Sequence, residues 1–304
     1  MRVALLAGGT GGGKLAAGLQ AACGSDLSVI ANTADDTEIH GLHVSPDPDL
    51  VTYWLAGVID EDKGYGFRDD ASVVSEQLAA LGAEGWFELT DRDLATCLYR
   101  THFMAEGGTL TAAQAQIARS LGAVAAVLPM CEQRVRTRVL TPGGPRGLQA
   151  FLILDHGRAP IEGVELDGIG EATATDEVLG AIDGADAIVV GPSNPVISIG
   201  PILAVPGVRG AIKAASAPVI AVNPLVGGHS MKGPTEEFLS AVGRPVSAAG
   251  VASLYEGLLD AMILDEGDPE PPSGLRLLTC PTLMDDADSR RALADRVLEL
   301  AAGL

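Results

Sequence analysis

The chain has 304 residues and a formal net charge of −20 with only four lysines, so we expect no binding of nucleic acid or of an anionic membrane surface. Apolar residues make up 47% of the sequence and aromatic residues only 4%, which predicts a core of Ala, Val, Leu and Ile. The four cysteines show no C-x-x-C spacing, which argues against a zinc site or a disulfide framework and predicts a reducing, cytoplasmic setting.

The first twenty residues predict a strand, a glycine-rich turn and a helix. Val3–Ala7 is an apolar run of strand length, residues 8–13 contain five glycines around Thr10, and residues 14–23 are rich in Ala and Leu. Glycines in such a turn let backbone amides and the next helix N-terminus approach a phosphate, and several are expected to need positive φ. The stretch therefore predicts an anion site, with a tight turn that binds nothing as the alternative.

Two familiar phosphate motifs fail on this stretch. The P-loop needs Ser or Thr directly after its lysine to hold Mg²⁺, and here Leu15 follows Lys14. A G-x-G-x-x-G fingerprint that starts at Gly9 places Lys14 at its third glycine. The sequence therefore predicts neither a P-loop NTPase nor an ordinary dinucleotide-binding enzyme.

Acidic residues follow the second predicted strand, Leu27–Ala31, where the ligand crevice of a parallel sheet is expected. Pro46 and Pro48 are expected to exclude a helix before 50–58, so Asp49 is either the N-cap of that helix or a metal or hydroxyl ligand. The second interpretation rests on a group of four carboxylates, Asp35, Asp36, Asp47 and Asp49. A divalent metal held there would offset the repulsion between a phosphate and the net charge.

Residues 61–122 interrupt the alternation of strands and helices and predict a helical insertion. Helix starts are predicted at Asp69, Thr90 and Thr111, the last with a capping box to Gln114. The scarce aromatic side chains concentrate around this segment, where they form either core or the wall of a pocket for a flat ring. They are Tyr53, Trp54, Trp86, Phe87, Tyr99 and Phe103.

The alternation resumes after residue 122. Residues 191–203 (GPSNPVISIGPIL) follow a strand at 187–190 and offer hydroxyls, an amide and backbone donors to a second phosphate. Another glycine-rich loop carries His229 and Lys232, and a lone histidine there is more typical of a surface position. The other predicted elements are strands at 123–130, 218–222, 262–264 and 276–280, a hairpin of 134–140 with 147–155, and helices at 175–182, 235–242, 250–261 and from Ser289.

These elements together predict an α/β fold, a Rossmann-like three-layer α/β/α arrangement around a mostly parallel sheet. The core comprises residues 1–60 and 123–304, and the helical insertion is 61–122. No stretch of about 18 apolar residues occurs, and Val3–Ala7 is too short for a signal-peptide core, so we expect neither a membrane span nor export.

Three loops, taken together, resemble the 2-phospho-L-lactate transferase family of coenzyme F-420 biosynthesis. They are GGTGGGK at 8–14, NTADD with SPDPD within 32–49, and GPSNPVISIGPIL at 191–203. The resemblance extends over nearly the whole chain through DRDLAT at 91–96, LPM at 128–130 and AVNPLVGGHSMKGP at 221–234.

This resemblance implies a Mg²⁺-dependent cytoplasmic homodimer with a Rossmann-like core. It also implies transfer of a phosphoacid from a guanosine diphosphate-linked donor to the ribityl hydroxyl of the deazaflavin Fo, with release of GMP. The upstream guanylyltransferase that makes the donor is then a candidate partner, and the helical insertion is expected near the acceptor pocket.

The resemblance implies roles for individual residues as well. Asp47 and Asp49 are expected to be catalytic and to hold Mg²⁺, and Asp49 also to contact the Fo hydroxyl. Asp91 and Arg92 are expected near the deazaflavin, which agrees with a guanidinium standing at a helix start against the dipole. The donor nucleotide and its phosphates are assigned to Gly9, Thr10, Gly11, Gly12, Gly13, Lys14, Asn32, Asp36, Ser193, Asn194 and Ser198.

Two departures from the family pattern leave the donor acid open among phospholactate, phosphoenolpyruvate and phosphoglycerate. Residues 11–15 read GGGKL where archaeal relatives have a Thr-Pro pair before the lysine, and Cys97 stands where several relatives carry histidine. Two other classes of protein also share part of the pattern. A nucleotide-sugar-binding regulatory protein of the same superfamily would lack the SPDPD stretch, and a UDP-sugar glycosyltransferase would need a second Rossmann domain.

Overall fold

The computed structural model describes residues 1–158, 160–269 and 271–304. The strands are Val3–Ala7 (β1), Leu27–Ala31 (β2), Thr37–Ile39 (β3), Leu42–Val44 (β4), Ala126–Pro129 (β5), Arg136–Thr141 (β6), Gly144–Gly147 (β7), Gly163–Asp167 (β8), Ala187–Val190 (β9), Val219–Val222 (β10), Leu225–Val226 (β11), His229–Ser230 (β12), Ala261–Leu264 (β13) and Arg276–Thr279 (β14). The helices are Gly9–Cys23 (α1), Pro46–Ala56 (α2), Val73–Ala80 (α3), Asp91–Ala105 (α4), Leu110–Leu121 (α5), Leu148–Ile153 (α6), Asp176–Asp183 (α7), Gly200–Ala204 (α8), Val208–Ala214 (α9), Thr235–Ala241 (α10), Ala248–Ser253 (α11) and Ala287–Ala302 (α12). A π-helical turn spans Pro195–Ile199.

Seven strands form one parallel sheet in the order β14-β13-β10-β9-β1-β2-β5. Helices cover both of its faces, which is why its central strands are apolar at every position. In β1, Ala4 and Leu6 pack on the side of α7, α8, α9 and α11. Val3, Leu5 and Ala7 pack on the opposite side, with α1, α2 and α12. The predicted three-layer α/β fold with a parallel sheet is confirmed.

The order of the strands places a crevice beside β1. The chain leaves β1 in one direction for β2 and β5, and returns on the other side to form β9, β10, β13 and β14. Such a reversal separates the loops that follow the two central strands, here β1 and β9, and ligands of α/β proteins bind in the gap. The residues after β1 and after β9 are the two stretches that the sequence assigned to phosphate.

Helix α2 begins at Pro46, so the expectation that Pro46 and Pro48 exclude a helix is wrong. Proline fits the first turn, because the backbone N–H that it lacks has no acceptor within the helix there. Ser45 occupies the N-cap position, and Asp47 and Asp49 lie in the first turn. Asp49 is therefore not the N-cap of this helix.

Other helix boundaries are partly as predicted. Thr90 caps α4 in a reciprocal box with Asp93. Helix α5 is capped by Thr109, which accepts a hydrogen bond from the Ala112 N–H, so the predicted box from Thr111 is wrong. Helix α3 begins after the predicted start at Asp69, α11 ends before its predicted end, and α12 begins before Ser289.

The predicted hairpin of 134–140 with 147–155 is partly wrong. Strand β6 pairs with the short β7 on one side and with β8 on the other, all antiparallel. Residues after Gly147 form α6 instead, because Leu148 and Phe151, three apart, are both buried on one side of a helical turn. The resulting three-stranded sheet lies outside the parallel sheet and borders the site described below.

Within the described residues, no single helix is long and apolar enough to cross a bilayer. Pro195–Ala204 and Val208–Ala214 would reach the required length and composition only as a pair, and that pair is bent by 81°.

Candidate active site

A cleft of about 700 Å³ lies beyond the carboxyl ends of β1, β9 and β10. Both predicted phosphate loops contribute to its wall, together with the first turn of α2. The sequence-predicted residues that line it are Gly9, Thr10, Gly11, Lys14, Asp47, Ser193, Asn194 and Ser198. Gly12, Gly13 and Asn32 lie directly behind this lining as buried residues.

The glycine-rich stretch is the first part of α1, and steric packing explains most of its glycines. A Cβ at Gly12 would lie 2.6 Å from Ser193 Oγ, and one at Gly13 would lie 2.5 Å from Trp54 Cδ1. A Cβ at Gly8 would overlap the Asp47 carboxylate. Of the predicted positive φ angles only that of Gly9, at +62°, is found among residues 8–13. The glycines therefore bring β1, the loop after β9 and α2 into close contact.

Asp47 joins these elements at the floor of the cleft. One carboxylate oxygen accepts a hydrogen bond from the Gly9 N–H (2.6 Å), and the other accepts one from the Asn32 amide (3.0 Å). The same amide nitrogen lies 3.4 Å from Asp35 Oδ1. Burial raises the pKa of Asp47 to about 6, against the lowering effect of the two hydrogen bonds. Burial and then the Asp47 charge raise the pKa of Asp35 well above its usual range.

Asp49 points away from the cleft into a buried polar network. It forms an ion pair with Arg100, which is fully buried, and Arg100 also bonds Gln114 Oε1 (3.3 Å) and the His43 carbonyl (3.2 Å). Gln114 Nε2 in turn donates to Thr52 Oγ1 (2.8 Å), in the second turn of α2. Burial raises the pKa of Asp49 to about 6, opposed by the charge of Arg100. Of the two predicted catalytic aspartates, only Asp47 lines the cleft.

A second cavity of about 270 Å³ adjoins the cleft between β3, β6 and the start of α6. Asp35 and Leu148 line both spaces. Trp86 and three arginines also line the cavity. Arg136 and Arg138 lie in β6, and Arg134 lies just before it. Arg136 is 8% exposed and donates to Glu38 Oε1 (2.8 Å). Arginines at every second position place their side chains on one face of a strand. This pattern is present in the sequence, and the predictions overlooked it.

Asp36 and Asn194 have defined structural partners. Asp36 lines the second cavity and accepts a hydrogen bond from Ser45 Oγ (2.8 Å), and its other oxygen lies 2.7 Å from His43 Nε2. The Asn194 side chain accepts hydrogen bonds from the N–H groups of Val196 and Ile197 and so caps the π-helical turn. Turns of this kind occur often at functional sites.

Asp91 and Arg92 line neither space. Asp91 accepts a hydrogen bond from the Val74 N–H, which ties α3 to α4, and the Arg92 guanidinium lies 5.6 Å from the centre of the Phe67 ring. Cys97 is buried beside Leu94 and Val44, and burial raises the pKa of its thiol to about 12. The thiol therefore stays protonated and packs as an apolar side chain.

Several cleft residues were not predicted to be part of the site. They come from the loop after α2, from the loop that carries Lys232, and from the segment after β14: Glu61, Lys63, Gly64, Lys232, Thr282 and Asp285. Only the tertiary fold brings these loops to the cleft. His229, in contrast, is on the surface with 84% of its side chain exposed.

The carboxylates at the cleft fit a magnesium ion whose remaining ligands are phosphate oxygens of a substrate. Mg²⁺ at nucleotide sites is held by one or two carboxylates and by phosphate oxygens of the substrate. Asp35 and Asp47 both line the cleft and both approach the Asn32 amide, so their oxygens are close together. In the described ranges no group of three or more His, Cys, Asp and Glu side chains forms a complete metal site.

The fold and the cleft define an α/β protein whose candidate ligand site lies where the strand order reverses, between the loops that follow β1 and β9. The family model for "2-phospho-L-lactate transferase CofD" matches residues 3–277. The chain belongs to this family.

Two relatives agree with this membership, and a solved structure shares the fold. The chain is 41% identical to the phosphoenolpyruvate transferase of Streptomyces griseus over 99% of this chain and 98% of that protein. It is 38% identical to the 2-phospho-L-lactate transferase of Methanopyrus kandleri, over 100% and 99% of the two chains. A crystal structure of a UPF0052 family member from Bacillus halodurans superposes with a TM-score of 0.64 at 19% identity, covering 97% of this chain and 98% of that one. This last likeness concerns the fold.

Proposed function

We propose that the protein transfers a phosphoacid from a guanosine diphosphate-linked donor to the ribityl hydroxyl of Fo in coenzyme F-420 biosynthesis, with release of GMP. The observation that carries this proposal is the junction of two spaces at Asp35. The 700 Å³ cleft and the 270 Å³ cavity share this residue, and Asp47 lies beside it. Two substrates that enter from the two spaces would meet at these carboxylates.

The donor is proposed to occupy the cleft. The amides at the start of α1 and the helix dipole favour an anion, and Lys14 adds a positive charge in the same wall. Phosphoryl transfer depends mainly on positioning and on neutralising developing charge, which these groups supply. Asn32 keeps the Asp35 and Asp47 carboxylates together, where they would hold Mg²⁺. The bound ion would neutralise charge on the diphosphate.

The acceptor ring is proposed to occupy the smaller cavity. Trp86 offers an aromatic face, and the arginines of β6 offer donors to ring carbonyl oxygens. The ribityl chain would then extend past Leu148 and Asp35 toward the donor phosphate. This placement replaces the expectation that Asp91 and Arg92 contact the ring.

Asp49 is proposed to hold the start of α2 in place. Its ion pair with Arg100 and the bonds of Gln114 hold the start of α2, which carries Asp47. Asp49 would therefore support the site without contacting either substrate.

We also propose that the protein is a cytoplasmic homodimer. Exposed apolar side chains on α3 and α4 are consistent with a contact between copies, among them Val74, Leu98 and Tyr99. Light scattering after gel filtration would show a mass of two chains if this is so, and one chain if it is not.

The transferase proposal is tested by a coupled reaction. The purified protein is mixed with Mg²⁺, Fo, GTP and a promiscuous guanylyltransferase, with phospholactate, phosphoenolpyruvate or phosphoglycerate in separate reactions. Mass spectrometry should find Fo plus one phosphoacid in at least one reaction and so name the donor acid. Asp47→Asn should give no product, whereas Asp183→Asn, at the exposed end of α7, should match the unmodified protein. Absence of product with all three acids, while the guanylyltransferase is active, would contradict the proposal.

A further inference from the structure

Two loops meet above the start of α1 and cover part of the cleft. Lys232, just after β12, donates a hydrogen bond from Nζ to the carbonyl oxygen of Lys63 (2.7 Å). The Thr10 hydroxyl donates to the carbonyl oxygen of Gly64 (3.3 Å), the next residue along the same loop. The Lys232 ammonium also lies 5.7 Å from the centre of the Tyr65 ring. The loop is thus held from α1 on one side and from Lys232 on the other.

Lys14 and Lys232 place two positive charges in the wall of the same cleft. Within the described ranges neither ammonium has a carboxylate oxygen within 4 Å, although the chain has twice as many acidic as basic residues. Burial lowers the pKa of Lys232, and repulsion from the Lys14 charge lowers it further. Acidic side chains such as Glu61 and Asp285 also line the cleft, but neither ammonium is paired with one, so both are free to bind a ligand with more than one negative charge.

We propose that Lys232 is a binding residue for the diphosphate of the donor, and that its bond to Lys63 is a resting position. A neutral carbonyl oxygen is a weaker partner for an ammonium than a phosphate oxygen, so the exchange is favourable when the diphosphate is present. The glycines at 227, 228 and 233, all at positive φ, allow the loop that carries Lys232 to follow its side chain. This inference rests on the proposed function, because that function supplies the diphosphate.

Binding of GDP without acceptor tests Lys232 directly. We expect Lys232→Met to weaken the calorimetric Kd for GDP by about tenfold or more, and Lys232→Arg to stay within about threefold of the unmodified protein. Lys213→Met, on α9 away from the cleft, removes the same charge and should bind GDP normally. In the transfer reaction Lys232→Met should raise the KM for the donor much more than it lowers kcat. Melting without nucleotide should be the same for all three variants.

The outcomes separate this inference from the proposed function. Normal GDP binding by Lys232→Met, or an equal loss in Lys213→Met, would overturn the role of Lys232 while transfer activity could persist. Weakened binding confined to Lys232→Met, without transfer by the unmodified protein, would support a diphosphate site and contradict the transferase. No binding of GDP by the unmodified protein would overturn the role of Lys232.

Discussion

The carboxyl group of Asp47 is buried at the floor of the cleft, and the fold makes its negative charge costly. Its pKa is raised to about 6, whereas an aspartate in the unfolded chain has a pKa of about 4. Between these two pH values the carboxyl is protonated in the folded protein and ionised in the unfolded chain. Stability from this group is therefore present at low pH and is lost as pH rises through about 6. Above that pH a cation can take the place of the proton.

A pH-dependent effect of Mg²⁺ follows from this exchange. Saturating Mg²⁺ should raise the Tm by at least about 2 °C near pH 7.5 and leave it unchanged near pH 5, because a metal needs deprotonated carboxylates. Scanning calorimetry at the two pH values would measure it. Asp47→Asn should abolish the effect, and Asp183→Asn should retain it. An equal shift at both pH values would contradict a site at Asp47.

At the scale of single elements, buried parallel strands were the easiest to predict. Strands β1, β2 and β9 have the predicted bounds, because both faces of each are covered and every residue except Ser28 is apolar. The start of α2 was misjudged because its two prolines were interpreted as helix breakers. The same error hid the contact of Asp47 with α1, which depends on α2 beginning at Pro46.

The glycine-rich start of α1 yields a prediction about packing. Gly12→Ala should lower the free energy of unfolding by about 1–3 kcal/mol, because its Cβ would collide with Ser193 Oγ and Ala7. Gly210→Ala is a matched control within α9, where a Cβ meets nothing within 4 Å, and it should be neutral or stabilising. Urea denaturation would compare the two. Equal effects would show that the glycines are not required for close packing.

The ion pair between Asp49 and Arg100 connects α2 to α4. Asp49→Leu and Arg100→Met should each cost about 3–5 kcal/mol, since each leaves one buried charge without its partner. The double variant should lose much less than the sum of the two. A double-mutant cycle from chemical denaturation measures this coupling, and additive losses would show that the pair does not hold the helix.

At the scale of the whole molecule, the fold and the neighbourhood of the site were predictable. Parallel strands end at one edge of a sheet, so the residues after β1 and β9 had to lie together once these strands were found. The second cavity, the partner of Asp49 and the position of Lys232 were not predictable. Each depends on contacts between segments far apart in sequence, such as Arg100 with Asp49 and Lys232 with Lys63.

The most direct test of the account follows the oxygen atoms of the donor. A phosphoacid whose three terminal phosphate oxygens are ¹⁸O is joined to GMP by the guanylyltransferase, so one heavy oxygen becomes the bridge. Attack by the Fo hydroxyl on the phosphoacid phosphorus breaks that bridge. Mass spectrometry should then find one heavy oxygen in GMP and two in the Fo product. Unlabelled guanylyl-Fo, with all three heavy oxygens in the released phosphoacid, would place the attack on the guanosine phosphorus and contradict the proposed transfer.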